Sequence, residues 1–197
     1  MKRTARFSPL IFCTLVFLTG ITMGAMSLRV LSVNEKAELV SYLEVFMRGL
    51  RSPELEPGVV FRLSLAQNLK TAALVWAFGL SIIGAPLTCV MLIIRGFALG
   101  FAASFIVSEV SSGGTLMFMA GMLPQNIVAV PATVLLAAFS LSFSLVLFRE
   151  RPWTYGGLWS KGGSYTWRCL VLASSFVVAS LVEAYISPML LMKIAGA

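Results

Sequence analysis

The stretch "CLVLASSFVVASLVEAYISPMLLM" at residues 169–192 decides the fold class, because it is long and apolar enough to cross a bilayer as one helix. Its only charged residue is Glu183. A carboxylate at membrane depth is costly, and membrane proteins keep one where polar groups or water can hold it. The stretch therefore predicts a membrane-spanning helix whose Glu183 needs partners from elsewhere in the chain.

The rest of the chain has the same character, since 58% of its 197 residues are hydrophobic and only 12% are charged. The apolar residues fall into long runs separated by short polar patches, which is typical of a polytopic membrane protein. We predict one all-α membrane domain with about five transmembrane helices, one amphipathic extracytoplasmic helix and a short re-entrant or interfacial segment. The predicted parts of this domain, residues 1–197, are spans at 9–33, 71–94, 96–112, 126–148 and 169–192, an extracytoplasmic segment at 33–69 and a basic cytoplasmic loop at 149–168.

The orientation in the membrane follows from where the basic residues lie. Lys2, Arg3 and Arg6 precede the first apolar run, which predicts a cytoplasmic N-terminus. The run continues to about Val33, which is long for a signal peptide, so we predict an uncleaved first span. A cleaved signal peptide is the alternative. The break between the second and third spans is predicted at Arg95–Gly96, on the cytoplasmic side. A break at Pro86 is the alternative, and it would place Arg95 inside the third span.

The polar segment after the first span predicts a helix that lies on the membrane or against the bundle. "SVNE" at residues 32–35 has the capping-box pattern, with Ser32 as the N-cap and Glu35 three residues later. An apolar stripe follows at helical spacing, formed by Leu39, Leu43, Phe46 and Leu50. Further on, "TLMFMAGML" at 115–123 is apolar but too short to cross a bilayer, which favours a re-entrant or interfacial segment.

The side-chain inventory excludes several kinds of catalytic site. The chain has no His, and its eight acidic residues are all Glu, which rules out His-based triads, HExxH zinc sites and Asp-dependent phosphoryl transfer. Cys13, Cys89 and Cys169 lie in apolar runs without metal-ligand spacing, so we interpret them as buried apolar residues. We predict no enzyme activity and no catalytic, cofactor-binding or metal-binding residues. Nucleic acid is not expected as a partner, because the basic residues lie where the positive-inside rule requires them.

The predicted topology brings several polar residues into the same half of the bilayer as Glu183. Asn68 lies at the outer end of the second span, and Gln125 and Asn126 lie at the outer end of the fourth. We predict that these four residues form an intramembrane polar cluster, with Arg95 on the opposite side of the membrane and outside the cluster. The alternative places Glu183 at the interface, where it meets water.

Small residues and prolines predict where helices pack closely. Gly96 and Gly100 form a GxxxG pattern, which allows two helix backbones to approach each other. The groove around these glycines is a candidate surface for single-span helices of partner proteins. Pro124 and Pro188 are the other predicted packing residues.

Four stretches together resemble the stage II sporulation protein M family over nearly the whole chain: "LVWAFGLSIIGAPL" (74–87), "RGFALGF" (95–101), "MLPQNIVAVPA" (122–132) and "VEAYISPML" (182–190). The resemblance implies a multi-pass protein of the mother-cell membrane, at the sporulation septum and engulfing membrane of endospore-forming bacteria. It implies a non-enzymatic scaffold for engulfment that recruits two peptidoglycan hydrolases, stage II sporulation proteins D and P. The family supplies no catalytic residues. Glu183, Pro124, Gln125, Asn126 and Pro188 match positions in its motifs.

Two other functions stay open on the sequence. A small transporter or channel with Glu183 in its pathway is the main alternative, because discontinuous helices such as the one at 115–124 often line substrate sites. An intramembrane enzyme would need Glu183 together with a Ser or Cys from another span. The lipid bilayer is an expected partner on every reading, whereas the oligomeric state and the docking surface stay open.

Overall fold

A computed structural model describes residues 4–50, 56–109, 113–150 and 155–195 of the chain. Within these ranges the chain is helical and has no strand, so the predicted all-α membrane fold is confirmed. The helices are α1 (Thr4–Ser27), α2 (Val33–Leu50), α3 (Pro57–Gly79), α4 (Gly84–Glu109), α5 (Gly114–Gly121), α6 (Leu123–Glu150), α7 (Tyr155–Leu181) and α8 (Ser187–Ala195), with a π-helical turn (Val182–Ile186) joining the last two.

Four stretches of the described chain are long and apolar enough to cross a membrane. They are Pro9–Ser27, Gly84–Glu109, Leu123–Phe148 and Gly162–Lys193, the last of which runs through α7, the π turn and α8. α3 is not among them. It carries Arg62, Gln67, Asn68 and Lys70, which lower the hydropathy of that helix.

The order of contacts shows that α1 and α4 run parallel. Gly20 lies against Ile93 and Gly96, and Gly24, one turn later, lies against Phe101. α3 runs antiparallel to α4, to which a short turn at residues 80–83 connects it. Because α1 and α4 run in the same direction, the chain must cross back between them. The 23 residues of α3 cover about 35 Å, which is long enough for that crossing. The geometry therefore favours the predicted five crossings of the membrane, with α3 as the second.

The seam between α1 and α4 is a backbone-to-backbone contact between two GxxxG pairs. Gly20 and Gly24 of α1 face Gly96 and Gly100 of α4, and a Cβ added at any of the four would meet backbone atoms of the facing helix. α1 therefore fills the groove that the sequence offers to partner helices. The expectation that partners pack on this groove is wrong.

The predicted break at Arg95–Gly96 is also wrong, and the alternative near Pro86 is closer to the structure. α3 ends at Gly79 and α4 begins at Gly84, so Arg95 lies in the interior of one continuous helix. Ser144 of α6 holds the turn: its hydroxyl donates to Ser81 O (2.8 Å), and its oxygen accepts from the Ala85 amide (3.0 Å). These tertiary bonds to α6 add to the local turn signals, since Ser81 accepts a bond from the Ile83 amide and Gly84 follows the turn.

Other predicted boundaries shift by a few residues. The first span ends at Ser27, short of residue 33, and much of the predicted loop at 149–168 is helical, because α7 already begins at Tyr155. The predicted short segment corresponds to α5. The predicted N-terminal residues 1–3, the end of the third span at 110–112, loop residues 151–154 and the side chains of Phe46 and Leu50 lie outside what the structure describes.

The half of the bundle nearer the α3–α4 turn holds the core. Its largest fully buried side chains include Val75, Leu92, Leu136 and Phe176, one from each of α3, α4, α6 and α7. A few hydroxyls tie the helices together at this level. Ser140 donates to Val75 O (2.8 Å), so α6 and α3 are joined by a hydrogen bond inside the apolar layer.

Candidate functional site

A polar layer lies next to this core, on the side away from the α3–α4 turn, and α3 contributes its first two residues. Ser64 and Asn68 are one helical turn apart and both are buried, so they share the face of α3 that packs on the bundle. Asn68 Nδ2 donates to Ser180 Oγ of α7 at 3.0 Å. It also approaches Ser64 Oγ at 3.5 Å. The amide thus connects two helices at the depth of Glu183.

The π-helical turn carries Glu183 into this layer. The amide of Ser187 donates to Val182 O five residues earlier, which widens the helix. Pro188 explains the widening, because in a regular helix its ring would clash with the carbonyl of Ala184. π-helical turns inside α-helices are frequent at functional sites.

Two side chains donate hydrogen bonds to the Glu183 carboxylate. Ser64 Oγ donates to Glu183 Oε2 from α3. Gln125 of α6, with its amide nitrogen facing the carboxylate, donates to the same oxygen at 2.8 Å and approaches Oε1 at 3.3 Å. Asn126 is bonded to its own helix instead, through a 2.7 Å bond from Nδ2 to Met122 O. Glu183 therefore lies among polar side chains that α3 and α6 present from two sides.

Arg95 completes the layer, and the sequence placed it on the wrong side of the membrane. One of its terminal nitrogens donates to Asn68 Oδ1 at 2.8 Å. Its guanidinium carbon lies 5.6 Å from the centre of the Phe176 ring, within the range of a cation–π interaction. Since α4 is unbroken, Arg95 lies 11 residues from the Gly84 end, or about 16 Å along the axis.

Arg95 and Glu183 attract each other without touching. Among the described side chains, Arg95 and Glu183 form no ion pair with each other, so the two charges at the polar layer are separated. A chain of hydrogen bonds connects the two residues, and every bond in it is donated from the Arg95 side toward Glu183. Arg95 donates to Asn68, Asn68 approaches Ser64, and Ser64 donates to Glu183. Such chains polarise in the same sense, which strengthens each bond.

These residues surround a cavity of about 260 Å³. Ser64, Asn68, Arg95, Gln125 and Glu183 supply its polar wall. Its remaining wall is formed by Gln67, Ala98, Leu99, Met122, Asn126, Ala129 and Ala179. The exposed side chains of Gln67 and Ala98 lie at its edge, so the cavity opens between α3 and α4. The structure thus combines two opposite charges, four side-chain amides and an open space.

The sequence prediction named most of this site but not its cation. Glu183, Asn68, Gln125 and Asn126 all border the cavity, although Asn126 makes no bond to the carboxylate. Ser64 and Arg95 were missed. The helical spacing of Ser64 and Asn68 could have predicted that both residues lie on one polar face of α3. The sequence around Arg95, in contrast, fits a buried helix position and a loop position equally well.

The predicted packing residues lie at helix starts and at the seam. Pro124 is the second residue of α6, where a missing amide hydrogen costs nothing, and Pro188 is the second residue of α8. Gly96 and Gly100 lie in the α1–α4 seam. Cys13 and Cys169 are buried and Cys89 is half-buried; all three are free thiols.

The described residues contain no group of three potential metal-ligating side chains that could hold an ion. Comparison with curated proteins and with solved structures gives no match. A family model does match, and its description is stage II sporulation protein M. The match runs over residues 13–188, from the first membrane helix to the proline after the π turn, and so covers most of the chain. This is a sporulation-related membrane protein, and it belongs to the stage II sporulation protein M family.

Proposed function

We propose that the chain is a non-enzymatic membrane scaffold of the engulfment machinery, which recruits the peptidoglycan hydrolases stage II sporulation proteins D and P to the septal membrane. The stage II sporulation protein M family is not a known enzyme family. In this proposal the cleavage of peptidoglycan belongs to the partners, and the chain supplies a position in the membrane and a docking surface.

The observation that carries the proposal is the exposure of α2. Tyr42 and Val45 are 66% and 68% exposed. Leu39 and Leu43 are half-buried, so the apolar surface continues around the helix. An amphipathic helix with an uncovered apolar face is a common recognition element for a groove on a partner protein. α2 is therefore the proposed docking surface.

Two contacts hold α2 in position for this role. A capping box fixes its start: the Ser32 hydroxyl and amide both donate to Glu35 Oε2, at 2.7 and 2.8 Å. Lys36 forms an ion pair with Glu109 at the end of α4, with 3.2 Å between Nζ and Oε1. Both contacts leave Tyr42 and Val45 uncovered.

The test is recovery of the hydrolases from a sporulating host with the tagged full chain. Replacing Tyr42 and Val45 by Ser should lower recovery about tenfold, because buried interface positions often contribute more than 1 kcal/mol each. Ala37→Ser is the matched control, since Ala37 is an exposed position of α2 with a small side chain. Unchanged recovery with Tyr42→Ser and Val45→Ser would contradict docking through α2, and wild-type chain that recovers no hydrolase would contradict the scaffold.

The proposal also places the N-terminus in the cytoplasm and α2 outside. Asn34 and Ser81 are both exposed, the first at the start of α2 and the second in the α3–α4 turn. A thiol reagent that cannot cross the membrane should label Asn34→Cys in intact cells and leave Ser81→Cys unlabelled. The reverse labelling pattern would invert the proposed topology.

Transport is the second candidate function, because a polar cavity with Glu183 in its wall could form part of a pathway. The level next to the cavity is filled by buried apolar side chains, among them Val75, Leu92 and Phe176. A pathway would have to pass this layer. Equal solute flux through proteoliposomes with wild-type chain and with Glu183→Leu would dismiss the transport function.

A further inference from the structure

The polar cavity has unused binding capacity on both of its charges. A guanidinium group carries five N–H donors, and Arg95 makes one hydrogen bond to a described residue, Asn68. The carboxylate of Glu183 has about four acceptor positions and receives bonds from Ser64 and Gln125. Both charged groups border the same space without forming an ion pair. A charge held in a membrane without an opposite charge in contact is costly, so an occupant that met both would be favoured.

We propose that this cavity is a binding site for a small zwitterion, whose anionic phosphate or carboxylate group pairs with Arg95 and whose ammonium group pairs with Glu183. A planar guanidinium suits a phosphate or carboxylate, because two parallel N–H bonds can reach two of its oxygens. Glu183 offers acceptors to the three donors of an ammonium group. The amides of Gln125 and Asn126 border the space between the two charges.

The size of the cavity limits the occupant to a small molecule or a headgroup. Its volume of about 260 Å³ lies below the 300–1,000 Å³ that is typical of pockets for drug-sized ligands. A free amino acid or phosphoethanolamine fits this limit. The headgroup of phosphatidylethanolamine carries the same two charges and could enter from the side, since the cavity opens between α3 and α4 at Gln67 and Ala98. This site is separate from α2, so the proposal does not depend on the scaffold function.

The first test measures binding of soluble probes to the full chain in nanodiscs of phosphatidylglycerol, which contain no zwitterionic lipid. Phosphoethanolamine and glycine are the zwitterions, N-acetylglycine the anion and ethanolamine the cation. At least one zwitterion should bind about tenfold more tightly than either singly charged probe, because each loses one charge-assisted bond. Equal affinities for all probes would overturn the proposal.

Two substitutions then separate the roles of the charges from a general loss of structure. Glu183→Gln should lower zwitterion affinity about tenfold and leave N-acetylglycine affinity unchanged, whereas Arg95→Gln should affect N-acetylglycine and spare ethanolamine. A chain that had merely unfolded would lose every probe. Glu109→Gln and Arg168→Gln are the matched controls, since both residues lie outside the cavity, and affinities should stay within about twofold.

The second test distinguishes a lipid from a soluble ligand. Native mass spectrometry of the chain from mixed phosphatidylethanolamine and phosphatidylglycerol nanodiscs should show retained phosphatidylethanolamine if the headgroup is the ligand, and Arg95→Gln and Glu183→Gln should lose it. Binding of the soluble zwitterions without retained lipid would assign the site to a free solute. If the folded wild-type chain binds no probe and retains no zwitterionic lipid, the cavity holds water alone and the proposal fails.

Discussion

The seam between α1 and α4 can be tested by adding one methyl group to Gly20. A Cβ at this position would lie 2.5 Å from Ile93 O and 3.0 Å from Ile93 Cα. Ordinary van der Waals contact begins at 3.4 Å. The helices would therefore have to separate by 0.9 Å, which is the difference between 3.4 Å and the 2.5 Å distance to Ile93 O. The atoms in the way belong to the backbone of α4 and cannot rotate aside. The substitution therefore acts on the whole seam.

The expected cost follows from the size of that separation. A gap of 0.5–1 Å forfeits about a quarter to a half of each contact energy along the interface, and overpacked cores lose about 1–3 kcal/mol. Alanine favours helix over glycine by up to about 1 kcal/mol in water. We expect Gly20→Ala to lower the free energy of unfolding by about 1–2 kcal/mol.

Gly163→Ala is the matched control for this substitution. Gly163 is also helical, but a Cβ added there would meet nothing within 4 Å. Its unfolding free energy should stay the same or rise by up to about 1 kcal/mol. The measurement is reversible unfolding of the purified chain in mixed micelles with increasing SDS. If Gly20→Ala is as stable as Gly163→Ala, α1 does not occupy the α4 groove, and that groove becomes available again as a partner surface.

Three further predictions concern the polar contacts. Glu183→Leu should destabilise the chain more than Glu183→Gln, by about 1–3 kcal/mol for each donor left unpaired, and equal losses in SDS unfolding would contradict the hydrogen-bonded role. Ser144→Ala should cost a similar amount, because the α3–α4 turn loses its bonds to α6; Ser142→Ala is the control, since Ser142 bonds its own helix. Hydrogen bonds from the side chain and the amide of Ser32 lower the pKa of Glu35, so the stability they give α2 is present at neutral pH and lost as the pH falls through that lowered pKa. The amide protection factors of α2, which are corrected for the slower intrinsic exchange at low pH, should therefore fall on acidification in wild-type chain, and Glu35→Gln should remove this pH dependence.

The parts of the fold that the sequence predicts are those set by local patterns. The capping box forms as expected at Ser32 and Glu35, because the N-terminal amides of a helix need nearby acceptors and only local residues are involved. The convergence of Glu183, Asn68 and Gln125 follows from topology. Successive spans cross the membrane in opposite directions, so the start of the second and fourth spans and the end of the fifth lie on the same side. These predictions need no knowledge of which helix packs on which.

The parts that failed depend on contacts between distant segments. Arg95–Gly96 has the residue types of a loop, yet both residues lie inside α4, because Asn68 accepts a bond from Arg95 and the backbone of α1 needs a glycine at position 96. The true turn has a weaker local signal, Ser81 between two apolar stretches, and it also depends on Ser144, about sixty residues later in the chain. Neither partner can be identified from the local pattern, so the local reading chose the wrong break.

The separation of Arg95 from Glu183 bears on what the polar layer is for. If the two residues served only to hold helices together, direct contact would give the strongest attraction and would leave no open space to solvate. Instead Asn68 and Ser64 join them through hydrogen bonds on one side, while a cavity of about 260 Å³ lies on the other. A hydrophobic pair of the same volume would stabilise the bundle at least as well as charges that do not meet. The arrangement is therefore explained better by an occupant that needs both charges than by packing alone. The singly charged probes, N-acetylglycine and ethanolamine, are decisive because they test whether the occupant must carry both charges.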